Sequence, residues 1–431
     1  MANAPLVFVL LAALLGPARS FVQSPQAVTS TPPSTEFADR LNNNRYELTL
    51  ESGQLSGSGL PVLRDAVDGA QFVLVGEDHG IAQIPAFYSG LCGILGPSGF
   101  HTMTVETGPL AANVLSEWIT QADGRKRLVE FEQQYPESIA FYNWREEYDL
   151  LSHCASVAGG GQFHLWGLDQ ELMGSSRLIL SKILEQHPGP EAAREVQRLL
   201  QKNDEAHAVA VKSGNPGDMF MFAVSDEELA HLRDLLHKEG NATSQSLLNE
   251  LIESREIYQK NMDGRGAESN RQRALLMKHH FLDHYHAAGG PDGRAPKVMF
   301  KFGAWHMFKG INPLHNNDLG NFVSELSDAH EVKSVRILIL AVRGSQSRFA
   351  GIGRPFEPAK FDLAEDQDSD FHYLRPMFAA VQKEGFTMFD LRGLRQNYSK
   401  LGPVDTEMDR LIFGYDLLVL VPNATPSKGV Q

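Results

Sequence analysis

Cysteine is scarce in this 431-residue chain, which has only Cys92 and Cys154. A thiol hydrolase therefore has few candidates. Cys92 lies in an apolar stretch, and Cys154 follows His153 in LLSHCAS, where adjacent residues on a helix do not face each other. In an exported protein the two cysteines could pair, but their spacing does not show that they meet; two buried small residues is the other reading. The chain has no G-x-S-x-G, which disfavours a nucleophile-elbow serine hydrolase. It also has no P-loop, no G-x-G-x-x-G behind a strand and no H-E-x-x-H, so phosphate cradles and zincin helices have no sequence support. Positive charge is in deficit: 39 Lys and Arg against 53 Asp and Glu give a formal net charge of −14. That argues against nucleic acid, whose phosphates need a basic surface, and against a polybasic membrane-surface role.

What is present is a sizeable apolar fraction, 42%, enough for one large domain or two ordinary ones. The N-terminus carries an apolar run from Pro5 to Leu15, a Gly-Pro break, and then Ala18-Arg19-Ser20. The run is too short to span a bilayer and reads as a secretory signal over residues 1–20. The expected location is secreted or periplasmic, with no later membrane span. Residues 21–59 are rich in Ser, Thr, Pro, Gly and Asn and read as an extended leader. Sequons at Asn241, Asn397 and Asn423 matter only in a host that glycosylates.

From residue 60 to 427 the pattern is that of an α/β domain. QFVLVG (71–76), FHTMTVETG (100–108), GQFHLWGLDQE (161–171), KVMFKFGAWH (297–306), SVRILILAV (334–342), FTMFDLRG (386–393) and YDLLVLVP (415–422) read as strands alternating with helices. The expected fold is α/β, with a central, mostly parallel sheet flanked by helices. Between about 175 and 290 the spacing is helical with charged outer faces, so a helical subdomain is inserted there.

Several strands end in titratable residues. The first runs into Gly76-Glu77-Asp78-His79-Gly80, the second into Glu106, the third into Asp169 and Glu171, and a later one into His306. Open α/β sheets bind ligands at the carboxyl ends of their strands, so these groups would converge on one crevice. A carboxylate beside an imidazole orients the ring and raises its basicity, as general acid–base chemistry needs. The same Glu77, His79, Glu106 and His306 would also serve as ligands of a divalent metal. Each residue alone has a bland explanation, a turn or a helix cap; the recurrence carries the functional reading. FYNWREEYDLL (141–151) adds Tyr142, Trp144, Arg145 and Tyr148 near the third strand, to line a substrate mouth or simply to pack. MKHHFLDHYH (277–286) puts His280 and His284 on one helix face with Asp283 between, but histidines near a helix C-terminus are favoured there anyway.

These motifs, VLVGEDHG, FHTMTVETG, FHLWGLDQE, FKFGAWHMFKG and the ending YDLLVLVPNATPS, resemble in kind and order the erythromycin-esterase-like superfamily. That superfamily also takes in ChaN-like haem-binding proteins and, more distantly, TraB- and Tiki-type proteins. In the esterases the first motif is similar to G-E-x-x-H-G, which falls here on Gly76, Glu77, His79 and Gly80. The resemblance implies cleavage of an ester or lactone of a small molecule by histidine-activated water, with no covalent serine intermediate. His79 would be the base, oriented by Glu77; Glu106 would position the water, and His306 would donate to the oxyanion or leaving group. Arg145 would meet transition-state charge, with Tyr142 and Asp169 on the substrate side. Macrolide esterases carry a second histidine in an A-H-N-x-H-like pattern; here Ala304-Trp305-His306-Met307-Phe308-Lys309 lacks it, closer to the G-x-x-H form of other branches. The alternatives are a divalent-metal hydrolase on the same four residues, and a haem or iron protein using Tyr88, His280 and His284.

Overall fold

The computed structural model describes residues 34–289, 295–366, 369–402 and 404–430. The signal reading at 1–20 and the leader up to residue 33 lie outside these. The described strands are β1 (Arg45–Glu51), β2 (Gln54–Ser56), β3 (Ala70–Glu77), β4 (Thr102–Val105), β5 (His164–Gly167), β6 (Val298–Gly303), β7 (Lys333–Arg348), β8 (Glu357–Asp362), β9 (Phe386–Asp390) and β10 (Leu417–Ala424). They form one sheet in the order β2-β1-β9-β10-β7-β3-β6-β4-β5, with β8 pairing off β7. From β5 through β4, β6, β3 and β7 to β10 the neighbours run parallel. β9, β1 and β2 extend one side antiparallel, and β8 pairs antiparallel with the C-terminal part of β7.

The central strands are continuous apolar runs because both faces are covered. Along β3, Val73 and Val75 enter one core while Phe72 and Leu74 enter the other, the period-two alternation of a strand. The first core packs the helices Gln83–Leu95, Pro109–Trp118 and Arg145–Val157. The second packs Gly266–Ala287, Leu319–Ala329 and Thr406–Gly414. Between β5 and β6 every element is helical, from Ser176 to Ala287, and much of this stretch has a core of its own around Leu180, Val196, Leu232 and Leu251.

Two sequence expectations change. Residues 35–56, read as extended leader, form a helix (Thr35–Asn43) and the edge strands β1 and β2. The Ser34 side chain caps that helix at Phe37 N–H, and Phe37 and Leu41 face the core. In β1 only Leu48 is fully buried, so the alternation is faint against its polar surroundings. The two cysteines do meet: Cys92 and Cys154 form a disulfide with Cα atoms 5.4 Å apart, which pins Gln83–Leu95 to Arg145–Val157.

Candidate active site

The register of the sheet builds the site. Glu77, the last residue of β3, pairs with Gly303, the last of β6. Val105, the last of β4, pairs with Lys301, which sets Glu106 just beyond the edge. His79 follows β3 by two residues, and His306 lies in the 3-10 turn Ala304–Met307 that follows β6. The turn after His79 is held by Gly80, whose φ of +79° suits glycine. Its carbonyl accepts from the Ser347 and Ser427 N–H groups, each at 2.9 Å.

His79 sits between two carboxylates. Its Nδ1 lies 2.9 Å from Glu77 Oε1 and its Nε2 3.3 Å from Glu106 Oε2. Across the other oxygen of Glu106, His306 Nε2 stands at 3.5 Å, while His306 Nδ1 is 3.0 Å from Asp318 Oδ2. Glu106 is thus the hub of a His–Glu–His arrangement. Arg273, from the Gly266–Ala287 helix, fixes it at 2.8 Å and also pairs with Asp169, and the Gly303 N–H donates to Glu106 Oε2. Any side chain at Gly303 would crowd the centre, since a Cβ there would stand 3.1 Å from His79 Nε2 and 3.3 Å from Glu106 Oε2. On the far side of Glu77, the buried Lys301 ammonium bridges Glu77 Oε1 at 2.7 Å and Glu147 at 2.8 Å. The side chains of Tyr142 and Lys301 are neighbours, with the ammonium 5.8 Å from the ring centre.

The charges decide the protonation states. Burial works against the imidazolium of His79, but Glu106 and then Glu77 outweigh it and push its pKa up to about 10. Burial likewise opposes the Glu106 carboxylate, and His306, His79 and Arg273 together hold it well below the usual range. His306 is raised: burial opposes its charge, Asp318 favours it most, and Arg273 counters while Glu106 adds. Burial pushes Glu147 up to about 7, with Lys301 pulling it down and Glu77 pushing it further up. Burial also lifts Asp78 to about 6 against the pull of His79 and Arg348.

Phe141 stacks on the His79 ring, centroids 3.9 Å apart and planes within 13°. Its φ is +60°, strained for an aromatic residue. Beyond it lies an apolar pocket of about 60 Å³ lined by Ile139, Phe141, Met173, Phe349, Ile352 and Phe356 among others. The His79 side chain is 13% exposed and that of His306 8%, so His79 is the more open of the two.

The structure therefore brings together Glu77, His79, Glu106, His306 and Asp169, with Tyr142 at Lys301. Arg145 is not among them. It opens the Arg145–Val157 helix, its N–H donates to the Lys428 carbonyl, and positive charge comes instead from Arg273 and Lys301. Glu171 turns away and accepts from the Leu110 N–H at 2.6 Å. Lys301, Glu147, Arg273, Asp318 and Phe141 were missed as site residues. A lysine inside the apolar run VMFKFG was the one plain signal.

The donor set does not suit a metal. The oxygens of Glu77 and Glu106 that face His79 already meet Lys301 and the Gly303 N–H, and Arg273 takes the other Glu106 oxygen. Among the described residues no group of three or more His, Cys, Asp or Glu is arranged to hold an ion. A haem does not fit Tyr88, His280 and His284 either. Tyr88 is buried in the core on one face of the sheet, its hydroxyl donating to the Phe300 carbonyl. His280 engages the Leu168 carbonyl and Glu250, and His284 stacks on Trp166, on the helix against the opposite face.

No protein-family model matches the chain, and no curated protein matches it. Solved structures do share its fold. A mutant of the erythromycin esterase EreC in its open conformation is 17% identical with a TM-score of 0.60, over 90% of this chain and 99% of that one. A Bacillus cereus protein is 15% identical, with a TM-score of 0.58 over 92% and 99%. A succinoglycan biosynthesis protein is 16% identical, with a TM-score of 0.55 over 94% and 100%.

Proposed function

We propose that this chain is an exported hydrolase that cleaves an ester, lactone or related carbonyl bond of a small molecule with water activated at His79. The observation that carries the reading is His79 held between Glu77 and Glu106 at the open end of parallel strands. The fold shared with an erythromycin esterase supports the reaction class. The buried disulfide supports export, since such bonds persist in oxidising compartments.

Unprotonated His79 takes a proton through Nε2 from a water seated at the exposed rim of the His79–Glu106 contact. The hydroxide formed adds to the carbonyl carbon, and the oxyanion faces the His306 imidazolium. His79 then returns its proton to the leaving alkoxide, so acid and alcohol form with no net change in the enzyme. Glu106, clamped by Arg273 and the Gly303 N–H, stays a carboxylate throughout and aligns both imidazoles.

The test is a panel of esters and lactones, assayed with and without chelator, with His79→Ala as control. Activity lost in a folded His79→Ala protein and indifferent to chelator supports the reading. Full activity in that variant, or activity that chelation abolishes and one divalent ion restores, overturns it.

A further inference from the structure

The Lys301–Glu147 pair lies beneath the site, and the proposed chemistry does not use it. Lys301 is 2% exposed, between Phe300 and Phe302 in β6. An apolar side chain of similar volume would fit such a position, and buried ion pairs generally add little stability over apolar replacements. The placement needs another reason. Glu77 Oε1 is shared: it accepts from Lys301 Nζ at 2.7 Å and meets His79 Nδ1 at 2.9 Å. Lys301 therefore fixes the very oxygen that orients the imidazole.

Left alone with Glu77, Lys301 would cancel the charge that the imidazole needs. Glu147 prevents this by sharing the ammonium, at 2.9 Å through Oε1 and 2.8 Å through Oε2. Glu147 sits in the first turn of the Arg145–Val157 helix, where the helix dipole favours a carboxylate. The disulfide ties that helix to the one that follows His79. The other titratable or charged groups around the pair are His79 after β3, Glu106 after β4, Tyr88 on Gln83–Leu95, and Tyr142 just before the Arg145 helix. Burial keeps both tyrosines neutral, well above the usual phenol range.

We infer that Lys301 and Glu147 are positioning residues, a two-part brace that locks the Glu77 carboxylate against His79 while leaving its charge available to the ring. The inference rests on His79 being the working base, but it is tested apart from that. The experiment compares wild type, Glu147→Gln, Lys301→Met and the double variant Lys301→Met/Glu147→Gln. The double variant leaves no unpaired buried charge from the pair and so is the one to trust if a single variant misfolds. The readouts are the His79 imidazole titration by NMR, assigned with His79→Gln, and kcat and KM separately on any ester that the wild type cleaves.

Glu147→Gln is expected to lower the His79 proton affinity about tenfold, because Lys301 then cancels Glu77. The double variant is expected to lose kcat by about 10- to 100-fold with KM within about twofold. A wild-type His79 titration in Glu147→Gln together with wild-type kcat in the double variant overturns the inference. If His79→Ala retains activity while the Glu147→Gln titration shifts, the brace on Glu77 stands and the reading of His79 as the base falls.

Discussion

Removing the Cys92–Cys154 disulfide tests both the packing of the site and the compartment the protein is built for. The bridge closes a sequence separation of 62 residues. Loop-closure entropy of −2.1 − 1.5R ln n for that length is roughly −14 cal/mol/K, or about 4 kcal/mol at 25 °C. A domain is typically stable by only about 5–15 kcal/mol, so roughly a quarter to four-fifths of the margin is at stake. Both half-cystines are 1% exposed, so Cys92→Ala/Cys154→Ala also empties two sulfur-sized spaces in the core between the helices. The expected loss is about 4 kcal/mol, read by urea unfolding through tryptophan fluorescence. Wild type unfolded under a reductant should lose a comparable amount, because reduction opens the same loop. Air-oxidised protein, denatured without reductant, should show no free thiol. Two titratable thiols, or a loss below about 1 kcal/mol in the double variant, would refute the cross-link and the entropy reasoning with it.

The pH dependence follows from His79, whose folded pKa of about 10 lies above its ordinary 6.5. Its contribution to stability is complete below 6.5 and is lost as pH rises through 10. Scanning calorimetry should show Tm falling across that window, less steeply in His79→Gln. Because the base form is the unprotonated His79 ring, kcat/KM should climb above neutral pH until the His306 imidazolium is itself lost; a rate that levels off below pH 7 contradicts the arrangement. Arg273→Met strands Glu106 and Asp169 without their shared cation and should cost about 3–5 kcal/mol in urea unfolding. Adding Asp169→Asn should recover part of that loss. At Phe141, with φ at +60°, glycine should be tolerated better than alanine by about 1 kcal/mol, the reverse of the order in a helix. A thermal melt in which Phe141→Ala is the more stable variant removes the strain from the account.

How much of this was legible depended on where each residue stood. Glu77, His79, Glu106, Asp169 and His306 each follow an apolar run, and strand direction alone gathers the ends of parallel neighbours. Lys301 was hidden by its own strand, because a charged residue in a run reads as an interruption until its partners are known. Arg273 lies on a helix with Arg271 and Glu268 close by, where nothing local separates a buried arginine from a solvated one. Asp318 looks like an ordinary helix cap and is one, its Oδ1 accepting from the Leu319 N–H at 2.7 Å, while its other oxygen faces His306. The strands β1, β2 and β8 escaped for a related reason. Little of these strands is buried, one residue in β1 and one in β2, so their apolar signal is weak beside that of β3 or β6.

Fixed cations beside the carboxylates bear on what would control the proposed site. A metal would lower the pKa of bound water through its own charge. Here Arg273 and Lys301 have their charges tied to carboxylates, Arg273 to Glu106 and Asp169, Lys301 to Glu77 and Glu147. They orient the acids. The remaining lever is where the protons sit on His79 and His306, which share Glu106 between them. In the proposed reaction a strongly held proton on His79 would make it a scarce but strong base, while Asp318 favours the charged form of His306 as donor. Two imidazoles on one carboxylate can then play opposite roles, because Glu77 backs one and Asp318 and Arg273 surround the other.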